Sequence, residues 1–246
     1  MSSSGSALPL FFQKPEALNA ELHSKLRLSQ KADFGFARAT NAVPVMGSEF
    51  AQAGHFYPIV FAGDAPMPVA VLGLKDSNVF VDAEGNWDKA VSYIPAYVRR
   101  YPFTFIEQPG QQGFLLGIDR ACSRVGENGE GASALFADGK PTNLTNDALQ
   151  FCAAFQNDLV VTQAFSAALA EHNLLIDRQA NATLTDGRRY GMQGFRIVDP
   201  KVFQALPDEV VVDWHRKGWL ALVHAHLVSL DRFANLLDRT AKTTVN

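Results

Sequence analysis

Hydrophobic and polar positions follow two patterns along this chain. Residues 57–62 (YPIVFA) and 68–74 (PVAVLGL) are short unbroken apolar runs, separated by the turn-forming Gly63-Asp64-Ala65-Pro66. Residues 78–82 (NVFVD) form a third run, closed by Ala83-Glu84-Gly85-Asn86. Together they predict a meander of buried strands. Shorter strand-like pieces precede them at 26–28, 34–38 and 42–45, and residues 47–54 have room for one or two helical turns ended by Gly54. Residues 103–107 and 114–119 predict a hairpin across 108–113, and 174–176, 182–184 and 190–198 predict another around Asp186-Gly187.

Elsewhere the spacing changes to three and four. Val91, Ile94, Val98 and Tyr101 predict an amphipathic helix over 88–101, with a kink or break after Ile94 because Pro95 removes a backbone donor. The strongest helical segment is about 146–171, capped by Thr145 or Asn146. Its stripe runs through Leu149, Cys152, Ala153, Gln156, Leu159, Val160, Gln163 and Ala167, while Phe151, Phe155, Phe165 and Leu169 make a second apolar face, as in a central helix. Asp199-Pro200 starts a short helix, and 208–217 forms another stopped by Gly218. Residues 219–228 (WLALVHAHLV) read as a strand before a last helix at 230–239, with one helix through Leu237 as the competing reading. The predicted fold is α+β, with antiparallel sheets or meanders packed on a long central helix. Residues 1–20 read as a tail lying over a single domain at 21–240, with a sub-boundary near the Gly-rich stretch 122–132.

Composition narrows the class. The 246 residues are 47% hydrophobic and 19% charged, which excludes a disordered chain. A net charge of −3 gives no basic footprint for nucleic acid. No stretch approaches the roughly 18 apolar residues of a membrane span. The N-terminal residues lack a basic segment and a long apolar core, so a cytoplasmic location is expected. Cys122 and Cys152 read as free thiols. The unusual number is 18 Phe, which reads first as core volume.

Few residues suggest chemistry. Gly126 to Gly131 carries two acids and is no phosphate loop, and Asp82 to Trp87 lacks the acid that would complete a calcium loop. His224 and His226 would face one way on a strand and could share a metal, but on a helix they diverge by about 200°. A hydrogen-bonded buried pair is the favoured reading, with no metal and no cofactor. Arg99 and Arg100 sit at a helix end, where they complement the dipole or, with Tyr97, form an anion site. Phe56, Tyr57, Phe61, Phe80, Trp87, Tyr93, Tyr97, Phe103, Phe105 and Phe114 form either sheet core or the lining of an apolar pocket. Candidate ligand-binding residues are therefore Trp87, Tyr97, Arg99, Arg100, His224 and His226, with no catalytic residue assigned.

Taken as a set, YPIVF (57–61), VLGL (71–74), NVFVD (78–82), GNW (85–87), YIPA (93–96), RRYPF (99–103), FADG (136–139), GFRIVD (194–199), GWL (218–220) and AHLVSL (225–230) resemble the bacterial SapC family over about residues 20–240. The resemblance implies a link to surface-layer proteins and their export. Members of that family are also encoded beside outer-membrane uptake receptors and flavin-dependent halogenase-like genes. No activity or catalytic residue comes with it.

Three expectations follow. The first is a non-catalytic cytoplasmic accessory protein that contacts a protein partner in a surface-layer or outer-membrane transport system, with a homo-oligomer left open. The second is a small-molecule-binding protein or enzyme whose pocket uses the aromatics, the arginines and the histidine pair. The third is a structural surface-layer component, which the absence of Gly/Asp calcium repeats disfavours.

Overall fold

The computed structural model describes residues 8–107, 113–127, 131–183 and 187–243. Along the chain lie strands β1 (Pro15–Ala17), β2 (Arg27–Ser29) and β3 (Ala42–Pro44), helix α1 (Phe50–Ala53), strands β4 (Ile59–Ala62) and β5 (Met67–Val71), and helix α2 (Ala96–Arg99). Strands β6 (Phe103–Glu107), β7 (Phe114–Asp119), β8 (Val125–Gly126), β9 (Ala132–Ala134), β10 (Phe136–Ala137) and β11 (Lys140–Pro141) follow. The long helix α3 (Asn143–Glu171) leads to the hairpin β12 (Leu175–Thr183) and β13 (Arg189–Val198). Helices α4 (Pro200–Gln204), α5 (Asp208–Arg216), α6 (Trp219–Ser229) and α7 (Arg232–Thr243) complete the described chain. The fold is α+β with antiparallel sheets and a long helix, as the sequence patterns predict.

Contacts divide the chain into two units: residues 1–36 with 100–155, and residues 37–99 with 156–246. The stretch 122–132 falls inside the first, and α3 contributes its first half to one unit and its second half to the other.

In the first unit β1, β7 and β6 form one antiparallel sheet, and β8, β2 and β9 another. Leu26, Leu28, Phe103, Leu116, Ile118, Leu135, Phe136 and Cys152 make its main core. Residues 13–17, read from sequence as tail, are tied in. Pro15 to Ala17 pair with β7, and the buried Asp119 carboxylate accepts N–H bonds from Gln13 (2.9 Å), Lys14 (2.8 Å) and Ala121 (3.0 Å) and an O–H bond from Tyr101 (3.1 Å). Burial alone would raise the Asp119 pKa, but these donors favour the charged form and hold it below the usual carboxylate range. Both cysteines are buried free thiols, and burial pushes Cys152 up to about 11.

The second unit is built on one antiparallel sheet in the order β12-β13-β4-β5-β3. Phe50, Phe61, Phe165 and Trp214 are buried in it, with Phe165 at 6.2–6.3 Å ring-centroid spacing from the other three. Five readings are corrected here. Residues 34–38 hold a 3-10 turn rather than a strand. Residues 78–82 are not a third strand: one isolated bridge, Val81 to Trp87, closes a turn. The helix expected over 88–101 shrinks to α2, because Pro95 breaks it where the sequence placed the break. Helix α3 begins at Asn143, and the Thr142 carbonyl takes the first helical bond from Asn146 at 3.0 Å. Its buried line is Thr145, Cys152, Phe155, Thr162, Phe165 and Leu169, while Leu149 and Val160 of the predicted stripe are exposed. The bulkier aromatic face won the core, since it removes more apolar area from water.

The fifth correction is 219–228, which is helix α6 and not a strand. An apolar run of ten reads as a buried strand or a buried helix with equal ease. Gly218, at φ +74°, ends α5 and redirects the chain into α6. The hairpin turns at 108–112 and at Asp186 lie outside the described residues, as do residues 128–130 of the Gly-rich stretch.

Candidate functional site

The six residues singled out from sequence have different surroundings. His226 and His224 diverge because α6 is a helix. His224 is exposed, with its ring 5.4 Å from that of Phe203. His226 is fully buried and works inside the sheet. The pair Arg196–Phe61 sets the β13–β4 register, so Val198 and Ile59 stand opposite each other two residues on. The imidazole sits between them. Val198 N–H donates to Nε2 at 3.1 Å, which leaves Nδ1 to donate to the Ile59 carbonyl at 2.9 Å. Ser229, one turn later, accepts the Ile59 N–H at 3.0 Å and donates to the His226 carbonyl at 2.6 Å. Both backbone groups of Ile59 are thus satisfied by α6 side chains. Burial lowers the His226 pKa from 6.5 to about 4, so the ring is neutral at pH 7.

The arginines part as well. Arg100 belongs to the first unit, where its guanidinium lies 4.6 Å from the ring centre of Phe155 and 5.6 Å from that of Phe12. Arg99 is in the second unit and exposed. It donates through Nε to the Ile94 carbonyl (2.8 Å) and through Nη2 to the Tyr93 hydroxyl (3.4 Å). Tyr93 in turn donates to the buried Glu49 carboxylate at 2.7 Å, which also accepts the Ala96 N–H (2.7 Å) and the Met46 N–H (2.8 Å). Glu49 thereby fastens the start of α2 to the turn before α1. Tyr97 is buried in α2.

Of the six, Trp87 lines the cleft described next. It occupies about 920 Å³ in the second unit, walled by residues 77–83 and 86–89 with Arg38 and Lys242. Phe80 and Trp87 form the apolar floor, their rings nearly parallel (11°) at 6.4 Å. Trp87 is 6% exposed, and its indole N–H donates to the Tyr57 hydroxyl at 3.2 Å. That hydroxyl donates to the Tyr93 carbonyl at 2.7 Å, and burial raises its pKa. The aromatic group read from sequence is therefore mainly core. It is divided between the two units, and only Phe80 and Trp87 reach the cleft.

The cleft's rim is polar. Asp82 accepts N–H bonds from Glu84 (3.0 Å) and Asn86 (2.8 Å) and a side-chain amide bond from Asn86 (3.0 Å), and these hold its carboxyl below the usual range. This is the solvated turn expected from sequence, with its oxygens already engaged. Asp88 pairs with Arg239, whose hydrogen bond lowers the Asp88 pKa. The same guanidinium stands 4.8 Å from the Phe80 ring centre. Arg38 donates to the carbonyls of Asp82 (2.7 Å) and Ala83.

Asn78 is the exception among these satisfied groups. It is 3% exposed and lines the cleft. Its Oδ1 accepts the Phe80 N–H at 2.9 Å, which fixes the orientation of the amide. Its Nδ2 is then a buried donor with no acceptor among the described residues. Sequence reading missed Asn78, Arg38, Lys89 and Lys242. An Asn opening an apolar run was a faint signal for the first, and nothing marked the others. Among the described residues, no helix is long and apolar enough to cross a membrane, and no group of three or more His, Cys, Asp or Glu is placed to hold a metal.

No curated protein and no solved structure matches this chain. The SapC family profile covers residues 18–236 of the 246, and the chain belongs to the SapC family.

Proposed function

We propose that this SapC-family protein is a non-catalytic binding protein that holds a small molecule in the cleft floored by Phe80 and Trp87. The observation that carries the reading is the cleft itself, about 920 Å³, with Arg38, Lys89 and Lys242 among its lining residues. Its being non-catalytic is supported by the rim chemistry, since the Asp82 and Asp88 carboxylates are both engaged by neighbours. A fragment set titrated into isotope-labelled protein tests the reading. Shifts of amides at 77–89 are expected, and a set that leaves those amides unmoved at millimolar concentration overturns it.

A second reading rests on the surface. Val160 and Val161 on α3, Val212 on α5 and Val228 on α6 are 49–65% exposed. Such apolar side chains suit the accessory role expected from the family: a cytoplasmic protein that contacts a partner in a surface-layer or outer-membrane transport system, with or without self-association. A receptor or export component encoded beside it should bind the purified chain and lose affinity for a V160E/V161E variant. Equal binding by the variant counts against this surface.

A further inference from the structure

The first unit covers one of its thiols with a strained segment. We propose that residues 9–14 form a strap that opens by itself while the rest of the first unit stays folded, and that this strap gates access to Cys122.

The strap's sequence conflicts with its shape. The Phe12 N–H donates to the Pro9 carbonyl at 3.0 Å, which closes a turn with Phe11 at its third position. Phe11 lies there at φ +79°, a conformation that favours Gly and is an outlier for a bulky side chain. Aromatic packing holds it in place. The Phe11 ring stands edge-on to Phe36 at 5.1 Å and to Tyr101 at 6.3 Å, and the Phe12 ring stands edge-on to Tyr101 at 5.3 Å. Backbone strain of this kind persists only where the surroundings over-determine it, and lifting the segment relieves it.

The other end of the strap hangs on one side chain. The Gln13 and Lys14 N–H groups donate to the two oxygens of Asp119, one to each, and the Lys14 carbonyl accepts the Arg120 N–H at 2.9 Å. From Pro15 to Ala17 the chain is laddered to β7, which marks where the opening stops. Strain at Phe11 therefore opposes the aromatic contacts and a single carboxylate pin, a balance that suits a segment of low local stability.

What the strap covers is a buried cluster of Phe12, Tyr101 and Cys122, with Phe11 and Phe36 packed against it. Burial also pushes the Cys122 thiol up, so the cover withholds both access and thiolate. Cys152 is an internal reference. It sits in the other core cluster of the same unit, which contains no residue of the strap.

The test alkylates the full chain with iodoacetamide and assigns each modified cysteine by peptide mass spectrometry. Each rate is divided by that of the same cysteine in the unfolded chain. Cys122 should then react at least about tenfold faster than Cys152, and with a weaker urea dependence, because a local opening exposes little surface. Leu135→Val, in the Cys152 cluster, should speed Cys152 and leave Cys122 as it was, since opening the strap keeps that cluster intact. Phe11→Ala and Phe11→Gly remove the same ring, but Gly accepts φ +79° and Ala does not. Cys122 should react about fivefold more slowly in the Gly variant than in the Ala variant. If the two cysteines share one normalised rate and respond alike to urea and to Leu135→Val, the opening is global and the strap is overturned. It is overturned as well if Cys122 is fast but reacts at the parent rate in both Phe11 variants, because the reagent then reaches the thiol without the strap moving.

Discussion

The seam between α6 and the five-stranded sheet and the cleft over Trp87 each bury a polar side chain, and they treat it in opposite ways. At the seam His226 is fully enclosed, and each of its ring nitrogens meets one backbone group that the neighbouring strand leaves unpaired. In the cleft Asn78 is almost as enclosed, yet only its oxygen is used. Buried polar groups are normally satisfied because an unmatched donor or acceptor costs about 1–3 kcal/mol. A satisfied histidine reads as architecture. An unsatisfied amide sealed beside a cleft reads as a group that the packing has left unmatched. Of the His-Ala-His pair that looked chemical in the sequence, His226 is architectural and His224 is exposed.

The comparison breaks most visibly at His226. His226→Leu leaves the Ile59 carbonyl and the Val198 N–H unmatched and removes the contact with the Phe61 ring at 5.1 Å. The expected loss is about 3–5 kcal/mol of unfolding free energy by urea denaturation. A loss under about 1 kcal/mol, comparable to a surface change, would mean that the seam does not depend on the imidazole.

Acid probes the same seam with no substitution. The folded-state His226 pKa, about 4, lies below the unfolded value near 6.5, so between them the unfolded chain binds a proton that the folded chain refuses. The contribution is fully present above pH 6.5 and is lost as pH falls toward 4, by about 3 kcal/mol in total. Protonation also turns the acceptor of the Val198 N–H into a second donor. Urea midpoints across pH 7.5–4.5 should show this slope, and His226→Gln, which cannot take up a charge there, should flatten it. A slope shared equally by His226→Gln would assign it to other groups.

Asp119 extends the comparison to the first unit. Its carboxylate satisfies four donors from Gln13, Lys14, Tyr101 and Ala121. Asp119→Asn keeps the size but replaces one acceptor oxygen with a donor that faces donors, and should cost about 2–3 kcal/mol. Because its pKa is lowered in the folded state, its own contribution is present above the normal Asp range and lost as pH falls through the folded value. Faster hydrogen exchange at Gln13 and Lys14 in Asp119→Asn would show that the segment before β1 is released. Unchanged exchange there would mean that the pairing of β1 with β7 holds it alone.

Much of the fold could be read from local pattern. Strands β6 and β7 fall on the predicted residues 103–107 and 114–119, Asp199 caps α4 by accepting the Lys201 N–H, and Gly218 ends α5. These depend on neighbours within a few positions. What failed depends on tertiary competition. The two apolar faces of α3 were both visible, but only packing decides which is buried. The run 219–228 has no period that separates strand from helix, and it took the wrong reading and the histidine pair with it. The cleft was least legible, because residues 77–89 meet Arg38 from far earlier and Lys242 from far later in the chain. Phe80 and Trp87 carried a visible signal, as aromatic residues, and the Trp87 indole nitrogen is spent on Tyr57.

The smallest expected effect discriminates most sharply. In Asn78→Ser the hydroxyl oxygen can accept the Phe80 N–H as Oδ1 does, so that bond has a replacement. What disappears is the Nδ2–H group, which has no partner to lose, and the single rotatable O–H of serine takes the place of its two fixed N–H donors. Removing a buried donor that makes no bond relieves a desolvation cost, while the smaller side chain gives up some packing. The two oppose each other, and the net change in unfolding free energy should stay within about 1 kcal/mol. A polar residue at 3% exposure that can be replaced almost freely is not part of what holds the fold together. If Asn78→Ser instead costs as much as His226→Leu, Asn78 belongs to the architecture too, and the contrast between seam and cleft disappears.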